Sequence, residues 1–158
     1  MSGEKPSGPS PESPCIRKAQ LDDAKGLASC IDAAYSQYTP RITDLPPVSD
    51  GCAEEIAKNQ VWVVLSGDQV IGGLFLVPHD GYMKLANVAV HPDHGGMGLG
   101  RKLMALSERE ARQQGYGEMR LNTHVEMPEN VLFYVRLGWE ETARTGNTVS
   151  MRKQLGPN

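Results

Sequence analysis

The stretch of this chain that most clearly indicates a chemical role contains four glycines within six residues. They follow an apolar, β-branched run that ends at Val90, and they precede a helical pattern with leucines on one face. Glycines let backbone N–H groups approach a phosphate closely, and the helix dipole favours negative charge at the helix N-terminus. The order strand, glycine loop and helix therefore predicts an anion site at Gly95, Gly96, Gly98 and Gly100.

Two common phosphate-binding motifs do not fit this loop. The dinucleotide fingerprint G-x-G-x-x-G needs a third glycine where the chain has Arg101. The P-loop needs Lys and then Ser or Thr after its second glycine, whereas Arg101 and Lys102 follow Gly100. Because the sequence also lacks a paired acidic metal site near the loop, nucleotide binding for phosphoryl transfer is disfavoured. A turn without a ligand is disfavoured too, because four glycines carry an entropic cost.

The loop is similar to the acetyl-CoA loop of the GNAT acetyltransferase superfamily, [Q/R]-x-x-G-x-[G/A]. Gly98 and Gly100 match, His91-Pro92 precedes them as is common in the family, and Gly95 occupies the Gln/Arg position. The family's second motif, N-x-x-[FLY]-Y-x-x-x-G-[FYW], is matched by Asn130, Phe133, Tyr134, Gly138 and Trp139. Two motifs about 30 residues apart, with a helix and a strand between them, are a specific signal. The resemblance covers roughly residues 16–155 and identifies no subfamily.

The resemblance implies a GNAT fold, which combines features of the α+β and α/β classes. A mixed, mostly antiparallel central sheet of six to seven strands would carry helices on both faces and one β-α-β crossover that binds acetyl-CoA. It also implies an N-acetyltransferase that moves the acetyl group of acetyl-CoA to a primary amine by direct attack in a ternary complex. The alternative is a non-catalytic acyl-CoA-binding regulatory module, favoured by Gly95 in place of the expected side chain.

The cofactor-binding residues that the resemblance implies come from the strand before the loop, the loop with its helix, and the second motif. In the family the pantetheine arm fills a gap between the two crossover strands, so the backbone of Val88 and Val90 would contact it. Arg101 and Lys102 are equally consistent with a solvated helix face, and Asn130 with a helix N-cap. The set is Val88, Ala89, Val90, Gly95, Gly96, Met97, Gly98, Leu99, Gly100, Arg101, Lys102, Asn130 and Phe133.

The catalytic candidates are Tyr134 and His124. At its motif position Tyr134 is the candidate acid for the departing thiolate, since a phenol has a pKa of about 10. The alternative is a core aromatic residue. His124 ends the strand after the crossover helix and is the candidate general base, with Glu126 second; surface placement is the alternative for both. Tyr35, Tyr38 and Arg41 are expected to contact the acceptor amine, and no metal is expected.

The composition of the chain disfavours several other classes of protein. The chain has 158 residues and a net charge of −3, which disfavours a general nucleic-acid binder. It has no apolar run of membrane-spanning length and no signal-peptide pattern. Three cysteines without C-x-x-C spacing indicate neither disulfides nor zinc, so a reduced, cytoplasmic setting is expected. The sequence divides into a flexible Ser/Pro-rich tail over residues 1–14 and one acetyltransferase domain over 15–158.

Periodicity and turn residues predict the element order β α α β β β α β α β β. Asp22 or Asp23 is expected to cap the first helix, and Gly72-Gly73 to mark a bulge or a close backbone approach. The proline-rich segment 36–50 is expected to be a loop. The last two strands form a hairpin whose exposed edge offers a surface for a homodimer.

Overall fold

The computed structural model of the chain describes residues 14–36 and 51–156. Seven strands form one sheet in the order β1-β2-β3-β4-β5-β7-β6. The pairs are antiparallel except β4 with β5, which is parallel. The predicted mixed, mostly antiparallel sheet is therefore confirmed. The strands are β1 Cys15–Lys18, β2 Gln60–Ser66, β3 Gln69–Pro78, β4 Met83–Val90, β5 Glu118–His124, β6 Glu140–Thr145 and β7 Thr148–Gln154.

Four α-helices lie in the described ranges and cover both faces of the sheet. Leu27 and Ile31 of α1 pack with Phe75 on one face, whereas Leu103 of α3 packs with Leu74 on the other. Apolar residues every third or fourth position give each helix a single buried stripe. The predicted element order and the β-α-β crossover are confirmed, with helices α1 Ala24–Ser36, α2 Cys52–Lys58, α3 Leu99–Gln113 and α4 Pro128–Arg136.

Some expectations concern segments outside the described residues. The predicted tail lies there except for Pro14, and the predicted loop over 36–50 lies there except for Ser36. Two of the three proposed acceptor contacts, Tyr38 and Arg41, belong to that second segment.

Asp23 takes part in capping the first helix, as expected, but not as the N-cap residue: Gln20 is the N-cap of the turn that leads into α1, and Asp23 is the N3 residue of its capping box. Leu21–Asp23 forms a 3-10 turn before α1, and the Asp23 carboxylate accepts a hydrogen bond from the Gln20 backbone N–H at 2.7 Å. The same carboxylate accepts two bonds from the Arg17 guanidinium, which together hold the pKa of Asp23 below its usual value. Asp23 therefore closes the capping box at the start of the helix and also ties this turn to strand β1 through Arg17.

Both features expected at Gly72-Gly73 are present. The β2–β3 register shifts beside Gly72, where Ile71 is the extra residue. A β-carbon built on Gly73 would lie 2.5 Å from Cδ1 of the fully buried Leu27. Strand β3 thus lets α1 approach closely because the glycine has no side chain.

We expect Gly73→Ala to lower the free energy of unfolding by about 1–3 kcal/mol, the usual cost of overpacking a core. Chemical denaturation of the purified variant measures it. Gly117→Ala is the matched control, since no atom lies within 4 Å of its added β-carbon. Equal stability of the two variants would contradict the close approach of α1.

Candidate active site

A gap in the sheet forms the centre of the candidate site. The parallel strands β4 and β5 pair only at Met83 with Met119 and at Lys84 with Arg120. Just beyond, β4 bulges against β3: Leu85 faces Leu76, Asn87 faces Phe75, and Ala86 is the extra residue. Because a bulge bends its strand, β4 turns away from β5 where their pairing stops. The expected separation of the crossover strands is therefore confirmed.

The gap holds a cavity of about 380 Å³ that passes through the sheet. Tyr35 of α1 lines it on one face, and Phe133 and Tyr134 of α4 line it on the other. Strand and loop residues complete the wall: Leu85, Ala86, Asn87, Val88, Val90, Gly100, Leu121, Asn122, Thr123, His124, Met127, Asn130, Asn147 and Thr148.

Backbone polar groups of β4 face this gap. The N–H of His91 donates to the Ile71 carbonyl of β3 at 2.9 Å. Because peptide groups alternate sides along an extended strand, the N–H groups of Val90 and Val88 are directed away from β3 and into the gap. β4 therefore offers an unpaired edge to whatever fills the cavity.

A second set of amides lies at the start of α3. Gly98 is the N-cap residue with φ of 76°, and Lys102 makes the first intrahelical bond, 3.1 Å to the Gly98 carbonyl. The N–H groups of Leu99, Gly100 and Arg101 precede that bond and have no acceptor within the helix. A β-carbon on Gly100 would lie 3.4 Å from the Phe133 ring, so α4 packs against this helix start. Helix start and gap are thus adjacent.

Several of the residues proposed from the sequence meet at the cavity: Val88, Val90, Gly100, Asn130 and Phe133, with Tyr35, His124 and Tyr134. The others do not line it. Ala89 and Leu99 are buried in the two core clusters, and the side chain of Lys102 borders a groove beside Trp62. Arg101 is exposed on α3. The remaining glycine-loop residues lie outside the wall: Gly95, Gly96, Met97 and Gly98.

Tyr134 is held tightly in the cavity wall. It is 8% exposed, and its ring contacts Phe133 with centroids 5.4 Å apart and Trp139 at 6.0 Å. Asn130 lies one turn earlier on α4, where its side-chain amide donates to the Met127 sulfur at 3.3 Å. Since Met127 is the N-cap of α4, the alternative reading of Asn130 as the cap is wrong.

His124 and Tyr35 face the cavity from the side of α1. His124 Nδ1 accepts a hydrogen bond from the Glu126 backbone N–H at 3.0 Å, so the neutral ring carries its proton on Nε2. The Tyr35 hydroxyl donates to the Asn87 side-chain oxygen at 3.3 Å, which ties α1 to the bulged strand. His91 Nδ1 accepts a hydrogen bond from the Asp93 backbone N–H at 3.1 Å and so caps the short 3-10 turn before the glycine loop.

A half-buried ion cluster fixes α4. Lys153 of β7 donates to the Leu137 carbonyl at the end of α4 at 2.6 Å and to the Glu108 carboxylate of α3 at 2.9 Å. Arg112 lies 3.8 Å from the other oxygen of that carboxylate. Lys153 therefore sets the position of the helix that carries Tyr134.

Sequence reasoning missed the polar strand residues of the cavity, notably Asn87 and Asn122. Asn122 alternates with the buried Met119 and Leu121 along β5. This alternation predicts the face of the sheet on which Asn122 lies, but it does not predict which residues surround it. The Ala86 bulge that brings Asn87 to the wall carries no sequence signal, because a bulge is defined by the pairing with its neighbouring strand.

Comparison with known proteins identifies the class. A family model described as "Acetyltransferase (GNAT) domain" matches residues 57–141, more than half of the chain. The chain therefore belongs to the GNAT acetyltransferase family. It is similar to the uncharacterized N-acetyltransferase YjgM of Escherichia coli, with 26% identity over 140 residues that cover 82% of this chain and 84% of that protein. It is also 29% identical to rat N-acetyltransferase 8B over 89 residues, which cover 52% of this chain and 40% of that protein.

Solved structures share the fold. The PaiA N-acetyltransferase of Thermoplasma acidophilum, in complex with coenzyme A, superposes with a TM-score of 0.82 at 18% identity, covering 90% of this chain and 99% of that one. The ribosomal-protein-S18-alanine N-acetyltransferase of Escherichia coli gives 0.72 at 16% identity, covering 92% and 96%. Within residues 14–36 and 51–156, no helix is long and apolar enough to cross a membrane.

We expect Lys153→Met to lower the free energy of unfolding by about 1–3 kcal/mol, because the Glu108 carboxylate and the Leu137 carbonyl lose their shared donor. Thermal and chemical unfolding measure the change. Lys58→Met is the control, since Lys58 pairs with Glu54 at 3.6 Å on an exposed helix face. If both variants match the parent protein, the cluster does not fix α4.

Proposed function

We propose that this protein is an acetyl-CoA-dependent N-acetyltransferase whose acceptor is a primary amine. The observation that carries the proposal is the gap between β4 and β5, which adjoins the amide-rich start of α3. An extended thioester arm needs a channel edged by backbone donors, and a diphosphate needs the N-terminus of a helix. Both features lie side by side at Gly100 and Phe133.

The residues present fit the cosubstrate. The free N–H groups of Leu99, Gly100 and Arg101 can bind the diphosphate, together with the loop over Gly95, Gly96, Met97 and Gly98. Gly95 brings no side chain, so binding there depends on the backbone. Val88 and Val90 offer main-chain groups to the pantetheine arm. Ala89, Asn130, Phe133 and Lys102 complete the proposed cofactor set of the chain.

The reaction joins the acceptor nitrogen to the acetyl carbon and breaks the bond from that carbon to sulfur. The Val90 N–H, directed into the gap, can donate to the developing oxyanion, a contribution worth about 3 kcal/mol in other enzymes. Tyr134, buried in the wall, is the proposed acid that protonates the departing thiolate.

The acceptor must lose a proton before it attacks, because an alkylamine has a pKa of about 10. We assign this step to His124. Its Nδ1 accepts from the Glu126 N–H, so the ring becomes a base only when that bond opens. Glu126 is the second candidate. We propose that Tyr35 contacts the acceptor amine, together with Tyr38 and Arg41, which belong to the segment outside the described residues.

The proposed setting is the cytoplasm, without a nucleic-acid or membrane partner and without a catalytic metal. Homodimerisation through the outer strand β6 stays a proposal. All six residues of β6 are exposed, but a register shift at Thr142 and charged side chains are features that protect an edge from pairing.

The competing proposal is a non-catalytic acyl-CoA-binding regulatory module. Two observations favour it: Gly95 replaces the expected Gln or Arg, and His124 Nδ1 is engaged by a backbone amide. It would retain the gap and the helix start and would have no turnover.

Release of free thiol from acetyl-CoA, measured across a panel of primary amines, separates the two proposals. Amine-dependent release with an acetylated product supports the transferase. Calorimetric binding of coenzyme A without release for any amine favours the regulatory module. If coenzyme A does not bind, both proposals fail.

We expect Tyr134→Phe to lower kcat at least about tenfold while the dissociation constant of coenzyme A stays the same, because only the proton donor is lost. Steady-state kinetics and calorimetry measure the two quantities. Tyr116→Phe is the matched control, since Tyr116 packs against the core after α3 and does not line the cavity. An unchanged kcat would remove Tyr134 from the mechanism.

A further inference from the structure

A polar depression of about 450 Å³ lies beside the candidate active site, on β4, β5, β6 and β7. Leu121 and Asn122 line both this depression and the active-site cavity, so the two are adjacent. Arg120 and Asn122 alternate with the buried Met119 and Leu121 of β5, which places them on the face of the sheet opposite to α3. We call this surface the cationic basin and define it by Tyr82, Lys84, Arg120, Asn122, Ser150 and Arg152.

Both guanidinium groups of the basin are held through one nitrogen. Arg120 lies over the Tyr82 ring, 4.1 Å from its centroid, and its Nε donates to Glu118. Arg152 donates from Nε to Glu140 at 2.7 Å. Within the described ranges the Nη atoms of both arginines make no hydrogen bond. Each side chain is thus oriented through Nε while its two terminal nitrogens have no hydrogen bond among the described residues, an arrangement that suits a carboxylate or a phosphate.

The charge of the basin favours an anion. Its wall contains Lys84, Arg120 and Arg152 against Glu118, and Glu140 pairs with Arg152 from outside the wall, so one positive charge remains in excess. Hydrogen bonding from Arg120 lowers the pKa of Glu118, so that group is ionised at neutral pH. Lys84 makes no ion pair with any residue that the structure describes. The Asn122 and Ser150 side chains, bonded to each other at 3.0 Å, supply neutral polar contacts between the cations and the cavity.

We propose that the cationic basin binds an anionic group of the acceptor, so that the preferred acceptor is a primary amine that also carries a carboxylate or a phosphate. This inference rests on the proposed N-acetyltransferase function. The amine enters the cavity past Asn122 while the anionic end contacts Lys84, Arg120 and Arg152. An incoming anion uses the terminal Nη donors, so the bonds from Nε to Glu118 and Glu140 can stay in place.

Matched acceptors test the proposal. We expect kcat/KM for 4-aminobutyrate, 6-aminohexanoate or phosphoethanolamine to exceed that for the neutral amides of the two amino acids, or for ethanolamine, at least about tenfold. The larger preference, for carboxylate or for phosphate, identifies the anionic group.

Basin variants must remove this preference without affecting the cofactor. Lys84→Gln and Arg152→Gln are expected to lower kcat/KM for the anionic acceptors about tenfold, with little change for neutral amines and in the KM of acetyl-CoA. Arg144→Gln is the matched control: Arg144 also donates from Nε to a glutamate, Glu141, at 2.7 Å on the C-terminal hairpin, but it lies outside the basin. Lys84→Gln disrupts no ion pair among the described residues. If the Arg152→Gln variant does not fold, the lysine variant alone therefore still tests the proposal.

A binding measurement keeps the basin and the proposed function separate. Glutarate and inorganic phosphate are titrated into the full chain while the Nε–Hε resonances of Arg120 and Arg152 are followed by NMR, with glutaramide as the neutral control. If amines are acetylated without regard to an anionic group, the basin proposal is overturned and the transferase stands. If no amine is acetylated, resonance shifts that Lys84→Gln abolishes support the anion site while the transferase proposal fails. Unshifted resonances in that case overturn the site as well.

Discussion

The structure depends on the early end of pairing between β4 and β5. Two residue pairs join these parallel strands, and the extra residue Ala86 then bends β4 while its other edge continues along β3. A strand that loses a partner in the middle of a sheet exposes N–H and C=O groups that must find other partners. The cavity, the direction of the Val90 amide and the lining by helices from both faces all follow from this one irregularity.

The elements around the gap are fixed by contacts far from it. Lys153 bonds to the last turn of α4 and to α3, and Gly100 lets the Phe133 ring pack against the start of α3. On the opposite face, Gly73 lets α1 approach β3, and Tyr35 bonds to Asn87. The side chains that line the cavity are thus positioned by helices whose own places are set by glycines and one lysine. The proposed transfer between two bound substrates would require placement of this kind.

Local patterns in the sequence predicted the elements and the glycine loop well. The apolar run of β2 is continuous and the leucine face of α3 is periodic, so each indicates its element without knowledge of its neighbours. Contacts that depend on register could not be predicted in this way. The Ala86 bulge exists only relative to β3, and the basin forms because β7 lies between β5 and β6. Such pairings join residues far apart in sequence, and no short window contains both partners.

The narrow junction at Met83 and Lys84 also has a mechanical consequence. The four-strand part of the sheet and the three-strand part share only two residue pairs, so the side-chain core on α3, more than backbone bonds, holds the two parts together. A molecule bound in the gap would act as a removable eighth strand with bonds to both edges. The two parts of the sheet would then unfold more cooperatively when the gap is occupied than when it is empty. The sheet would then be at its most rigid when it is loaded and would loosen on product release.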